Sequence, residues 1–418
     1  MRNGKQEKTE LDMQKELEAK FDELFAALDD AGDKDDTQRT DQGDKLDVLS
    51  NSIRRQLEEE YSNLVERARD KYALRDFREA LSFWQQGCDV AQQLNDLEKE
   101  IHCYYHICQN LYHLGNFKNA LLTSFKVTNY YSIANPSDLY WTIARQLHIA
   151  EELLIPRDCL DRLLFQLKVC NDRYRLEHQA GYLLDEAWIY LDYCKPHKAL
   201  SKAQRSKILI FGNSRGYNLP SHFRMLFLCY YLNADMELMK KTIAELQNCE
   251  TYSEGFKEYA LYFCRCLLFY MQGDYQSAYK NAEQALILQR KSNASEYMHL
   301  YRLITIAAAW GKPQIAREYL IDLIENYREE RTSGKRYWQR YYTYRCLGHF
   351  NASLAKAKQN TRLFSKFFHR SIMYYKRAMD VAKQIDHLLC TSGWQQKVEN
   401  DISSLENGNL PKPILCDR

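Results

Sequence analysis

The densest run of side chains able to do chemistry in this 418-residue chain is HCYYHICQNLYH, residues 102–113. His102 and His106 stand four apart, which on a helix puts two imidazoles on one face at a spacing that can hold Zn²⁺, and His113 follows two turns on. A catalytic zinc needs a third protein ligand and an activating carboxylate, and no HExxH glutamate is present. The same side chains can form a polar, aromatic patch that hydrogen-bonds a peptide backbone, or they can pack. The reading adopted is no metal and no cofactor.

Other chemistry is sparse. There is no GxxxxGK[ST] phosphate loop, no GxSxG elbow and no GxGxxG after a strand, so no catalytic residue is expected and the chain does not read as an enzyme. The thirteen cysteines form no CxxC pair, the closest being Cys264 and Cys266, and read as small hydrophobes kept reduced in a cytoplasmic protein. Residues 328–383 hold 14 Lys and Arg against 3 Asp and Glu, interleaved with Tyr337, Trp338, Tyr341, Tyr342, Tyr344 and Phe367. Arg336, Arg340 and Arg345 form a candidate basic patch there. It suits an acidic partner, an anionic lipid surface, the chain's own acidic N-terminal arm or, without any recognisable nucleic-acid module, RNA or DNA; a solvated helix face is the plain alternative.

These residues need elements to hold them. With 15 Gly and 7 Pro the chain is poor in the turn residues of a β-rich fold. In YALYFCRCLLFYMQ (259–272), Tyr262, Cys266, Phe269 and Tyr270 fall at helical spacing. Gly273-Asp274 breaks that helix, and Ala278, Ala282 and Ala285 line the next. The spacing predicts a helix hairpin whose small residues let the axes cross closely. The same arrangement recurs with its turn at Arg75, Gly115, Ile155, Cys194, Ala234, Gly273 and Gly311, at steps of 38–40 residues. RDFREAL (75–81), GNFKNAL (115–121) and GDYQSAY (273–279) are the clearest copies. CKPHKAL (194–200) and GKPQIAR (311–317) carry Pro, and Leu160 and Met239 stand where alanine is expected.

This unit resembles the tetratricopeptide repeat (TPR), in a long form of about 40 residues like those of kinesin light chains, LGN-type adaptors and the bacterial Rap family. The resemblance implies an all-α fold, an α-α superhelical solenoid of helix hairpins, with the first helix of each unit lining a concave groove. It places His102, Tyr105, His106, Gln109, Tyr112 and His113 in that groove. Neighbouring units add Glu66, Arg69 and Tyr72; Arg145, Gln146 and Glu152; Asp185 and Trp188; Arg224 and Tyr231; Tyr270; and Tyr301 with Arg302. Aromatic and arginine side chains are favoured anchors for bound peptide. The Lys and paired Asn that some TPR domains use to clamp chaperone C-termini are missing from their set positions.

Around the array, residues 11–29 read as an amphipathic helix with Leu17, Phe21, Leu24, Phe25 and Leu28 on one stripe, within an N-terminal segment 1–29. Residues 30–45 read as a flexible acidic linker. Residues 1–45 carry 8 Lys and Arg against 14 Asp and Glu. The repeat array spans 46–330, an atypical basic capping hairpin 331–390, and a tail 391–418 that holds a short helical pattern and frays at its end. No secretion signal or stretch of 18 apolar residues is present. The expected function is a non-catalytic scaffold that binds a protein or peptide in its groove. A Rap-like sensor switched by a peptide or by its own N-terminal arm is the second reading, and nucleic-acid binding through the basic hairpin the third.

Overall fold

The computed structural model describes residues 48–173, 178–212, 219–249, 254–291, 296–329, 336–412 and 415, so the expected arm and linker of residues 1–45 lie outside the described residues. Among those described, the secondary structure is helical, without strands. In chain order it runs α1 (Val48–Ala73), α2 (Phe77–Gln93), α3 (Leu97–His113), α4 (Phe117–Thr128), α5 (Pro136–Glu152), α6 (Arg157–Arg173), α7 (Gln179–Asp192), α8 (Pro196–Gly212) and α9 (Leu219–Leu232). Then come α10 (Met236–Asn248), α11 (Glu254–Gln272), α12 (Tyr275–Lys291), α13 (Tyr297–Ala309), a 3₁₀ turn (Pro313–Ala316), α14 (Arg317–Glu329), α15 (Arg336–Ala357), α16 (Leu363–Leu389) and α17 (Gly393–Glu406).

One turn design explains the period. Arg75, Gly115, Leu154, Cys194, Ala234, Gly273 and Gly311 all have φ between 54° and 79°, the left-handed region. The residue after each donates its N–H to the carbonyl five back: Asp76 to Lys71, Asn116 to Leu111, Ile155 to Ala150, Lys195 to Tyr190, Asp235 to Tyr230, Asp274 to Phe269 and Lys312 to Ala307, at 2.8–2.9 Å. This satisfies carbonyls that a helix end leaves bare and reverses the chain. Aspartates then start the next helix, Asp76, Asp235 and Asp274 accepting from the N–H of Glu79, Leu238 and Ser277 at 3.0–3.2 Å. The fourth residue of each second helix or 3₁₀ turn is sealed: Ala80, Ala120, Leu160, Ala199, Met239, Ala278 and Ala316 are all 0% exposed.

One turn corrects the sequence expectation. Its left-handed residue is Leu154 rather than Ile155, while α6 still begins three residues before Leu160. This turn holds one residue more than the others, so positions on α5 shift by one against the repeat.

The chain divides into two compact units, one of Met1–Glu151 with Ile155–Tyr174, the other of Glu152–Leu154 with Arg175–Arg418. In the first, α1 packs on α2, α2 on α3 and α3 on α4. Tyr61, Leu64 and Ala68 meet Trp84, Cys88 and Ala91 and then Cys103 and Ile107, apolar rows at helical spacing that lock the hairpins together. In the second, the succession continues from α7 to α14 and ends in the long hairpin of α15 and α16. A Cβ on Gly348 would lie 2.5 Å from the Tyr375 ring, so this crossing requires glycine.

The short helical pattern of the tail forms α17. The Asp386 carboxylate of α16 accepts from the backbone N–H of Trp394 at 3.2 Å and of Gln395 at 2.9 Å, fixing the start of α17. Trp394 and Val398 are 0% exposed, and each contributes about 2 kcal/mol of burial. The Trp394 indole N–H donates to the Asp192 carbonyl at 3.2 Å. Leu415, also fully buried, donates its backbone N–H to the Tyr231 hydroxyl at 3.0 Å. Among the described residues, no helix is long and apolar enough to cross a membrane.

Candidate functional site

In the first unit, α3 and α5 carry the cluster that the sequence singles out. His102, His106, Gln109, Tyr112 and His113 on α3 are half-buried, as are Trp141, Arg145 and His148 on α5. Tyr105 is 9% exposed. His102 Nδ1 donates to the Asp138 carboxylate of α5 at 2.6 Å. His106 stacks on Trp84 of α2 with centroids 3.9 Å apart and lies edge-on to His102 at 4.6 Å. The Gln109 amide donates to the Tyr105 hydroxyl. At the far end of α3, His113 stacks on Phe77 at 4.4 Å, and its Nε2 shares a 3.0 Å hydrogen bond with the Tyr72 hydroxyl.

The imidazoles are thus engaged by packing and by oxygen partners. Among the described residues no three His, Cys, Asp or Glu side chains converge to hold a metal. Burial, then the neighbouring His102 and Arg69, pulls the His106 pKa down to about 2, and burial likewise drives His113 well below its ordinary value. Both are neutral, suited to hydrogen bonding and stacking. Burial pushes the thiols of Cys103, Cys108, Cys170 and Cys229 up to about 12, and the described cysteines are free of disulfides. They are packing groups, without thiolate nucleophilicity.

Arg145 sits beside this row. Its guanidinium lies 4.2 Å over the Tyr112 ring, and its Nε is sealed from solvent with no hydrogen-bond partner. The indole N–H of Trp84 is likewise sealed and unmatched. The extra residue in the turn at Leu154 explains what the sequence expectation misplaced. Gln146 is fully buried and donates to Ser124 at 3.1 Å, while Trp141 and His148, absent from the expected set, share the half-buried stripe with Arg145. Glu152 is the last residue of α5 and belongs to the second unit. Of the expected groove residues on α1, Glu66 and Arg69 are exposed and Tyr72 half-buried.

The second unit treats its expected groove residues differently. Asp185, Tyr231, Tyr270, Tyr301 and Arg302 are 0–7% exposed. Trp188 and Arg224 are half-buried, the Arg224 guanidinium lying within 6.0 Å of the rings of Trp188, Phe256 and Phe263. Arg302 covers Phe263 at 4.7 Å. Of this set Tyr231 is covered by the C-terminal region, through Leu415, and the same region seats Trp394 against Trp338 and Tyr341.

Of the expected basic patch, Arg340 is half-buried and Arg336 opens α15 among residues whose side chains lie outside the description. Arg345 is 1% exposed and is not a surface cation. Its Nε and Nη2 both meet Asp401 Oδ2 of α17 at 2.9 Å, because one face of α15 is the seat of that helix. Sequence reasoning could not pair residues 56 positions apart.

No protein-family model matches the chain, and no curated protein matches it. Among solved structures it is similar to a crystal structure of the TPR domain of P58(IPK), at 14% identity, covering 81% of this chain and 98% of that one, with a TM-score of 0.23. The helix-repeat architecture rests on the chain's own turns and packing.

Proposed function

We propose that this protein is a non-catalytic, cytoplasmic scaffold whose first unit binds a segment of another protein along the α3–α5 face. Supporting this, the second unit already carries polypeptide at the end of α9: Tyr231, three residues before its left-handed turn residue, accepts a backbone N–H from Leu415. Tyr112 and Tyr72 stand three residues before Gly115 and Arg75, the same repeat position, and both are half-buried. Neutral imidazoles, tyrosine hydroxyls and an arginine on one stripe offer hydrogen bonds and stacking area to a peptide. Buried free thiols suit a reducing compartment.

The test is binding of the full-length chain to a library of immobilised synthetic decapeptides with randomised positions. Bound sequences should be lost when Tyr105, His106 and Tyr112 are changed together to Ala and kept when Tyr270 is changed to Phe. Peptide capture indifferent to the α3 changes would remove the assignment of this face.

A further inference from the structure

We infer that Arg145 is the receptor for a carboxylate on the bound peptide, so that the segment this face takes is acidic at its anchor. The inference rests on the peptide-binding reading and names the chemistry of its central contact.

Among the described residues, Arg145 is a cation without a counter-ion beside it. Its Nε has neither solvent nor acceptor, its guanidinium rests on Tyr112, and the titratable side chains around it, Tyr112, Tyr72, Cys108 and Tyr105, are uncharged at neutral pH. A guanidinium N–H withdrawn from water is costly unless a hydrogen-bond acceptor, best an anion, replaces the solvent. Its planar fork fits a carboxylate through two parallel N–H bonds.

The second unit shows the completed form. Arg345, 1% exposed, donates through Nε to Asp401, a carboxylate that α17 brings to it, and through Nη1 to the Tyr341 hydroxyl at 3.1 Å. An arginine beside a tyrosine thus receives the acid of a docked segment, and the same C-terminal region places the N–H of Leu415 on Tyr231. Arg145 beside Tyr112 has the arginine and the tyrosine of that arrangement without the acid. Acceptance of a ligand carboxylate by Arg145, and of a ligand N–H by Tyr112, would complete it.

A carboxylate can come from an Asp or Glu side chain or from a free C-terminus. The experiment uses full-length protein and acetylated decapeptides with randomised flanks in four forms: a fixed Glu with a C-terminal amide, a fixed Gln with a free C-terminus, both acids, and neither. Wild type should hold one or both single-acid forms at least ~tenfold more tightly than the neutral form, and which one identifies the source. Arg145→Gln should abolish that preference. Arg145→Lys, which keeps the charge and a long stem, should fold in any case and lose roughly tenfold for want of the fork. Peptides held equally with and without acid, or an acid preference intact in Arg145→Gln, overturn the inference and leave the peptide-binding reading standing. Retention of no peptide of any form overturns both.

Discussion

Arg345 of α15 and Asp401 of α17 meet at 2.9 Å with side-chain exposures of 1% and 5%, so the C-terminal helix is fastened by an ion pair removed from water. His349 Nε2 lies 3.8 Å from the same carboxylate, and the His349 Nδ1 shares a 2.7 Å hydrogen bond with the Tyr375 hydroxyl. The acid of α17 therefore ties together α15, α16 and α17.

Breaking that pair from one side should be severe. Asp401→Asn leaves Arg345 buried without its counter-charge, at a cost of about 3–5 kcal/mol. Calorimetry should show the second unit melting earlier, and hydrogen exchange should rise in α17 before it rises in α12. Changing both residues to similarly sized apolar side chains should restore much of the loss; an Asn variant as stable as wild type would mean that the pair contributes nothing to holding α17.

The contrast between this pair and the repeat turns marks what a sequence can disclose. The turns are local: a left-handed residue must follow each first helix, so Gly115, Gly273 and Gly311 announce themselves, and a steady period finds Arg75, Cys194 and Ala234 between them. The period cannot register a single extra residue inside one turn, so it assigns Gln146 to the face that Arg145, Trp141 and His148 share. Nor can it join residues far apart. The indole of Trp394 finds its carbonyl 202 positions away at Asp192, and nothing local in either stretch encodes that meeting. Arg345 in isolation reads as one more cation in a basic helix, and only its acid partner shows it to be internal.

The turn design predicts opposite effects from two small substitutions. Ala234 is exposed with φ at 56°, a conformation that costs a non-glycine residue about 1–2 kcal/mol, and Gly273 holds the same role with φ at 79°. Ala234→Gly should raise, and Gly273→Ala lower, the urea midpoint of the second unit, each by the equivalent of about 1 kcal/mol. A Cβ on Gly273 has open space around it, so its penalty is conformational rather than steric. Equal and unchanged midpoints would remove the left-handed turn as the device that sets the period.

Acid should weaken the fold through its buried histidines. His106, His113 and His349 are held below the ordinary value of 6.5 by burial first, His106 to about 2. Above pH 6.5 the folded and unfolded chains are equally unprotonated at these sites. As pH falls below 6.5 the unfolded chain takes up protons that the folded one refuses, and stability declines by up to about 1.4 kcal/mol per pH unit for each histidine. His106→Phe keeps the stacking on Trp84 and removes one of these protons, so urea unfolding at pH 6 and pH 5 should show a shallower decline for the first unit. An unchanged slope would mean that His106 is protonated in the folded protein.

The ligand-free protein should also reveal what Arg145 is for. If its guanidinium were retained for stability, its 4.2 Å contact over Tyr112 would have to outweigh the cost of withdrawing its Nε from water without an acceptor. A contact of that kind is worth about 0.5–2 kcal/mol, and an unsatisfied buried charged donor costs at least as much. Arg145→Met keeps a long, polarizable side chain against the Tyr112 ring and removes the charge, so the first unit should melt at the same temperature or higher, by the equivalent of about 1 kcal/mol. Peptide binding should fall in the same variant. A gain in stability with a loss of binding is the pattern of a residue kept for its ligand; a clear fall in melting temperature would show instead that the arginine is a packing element of α5.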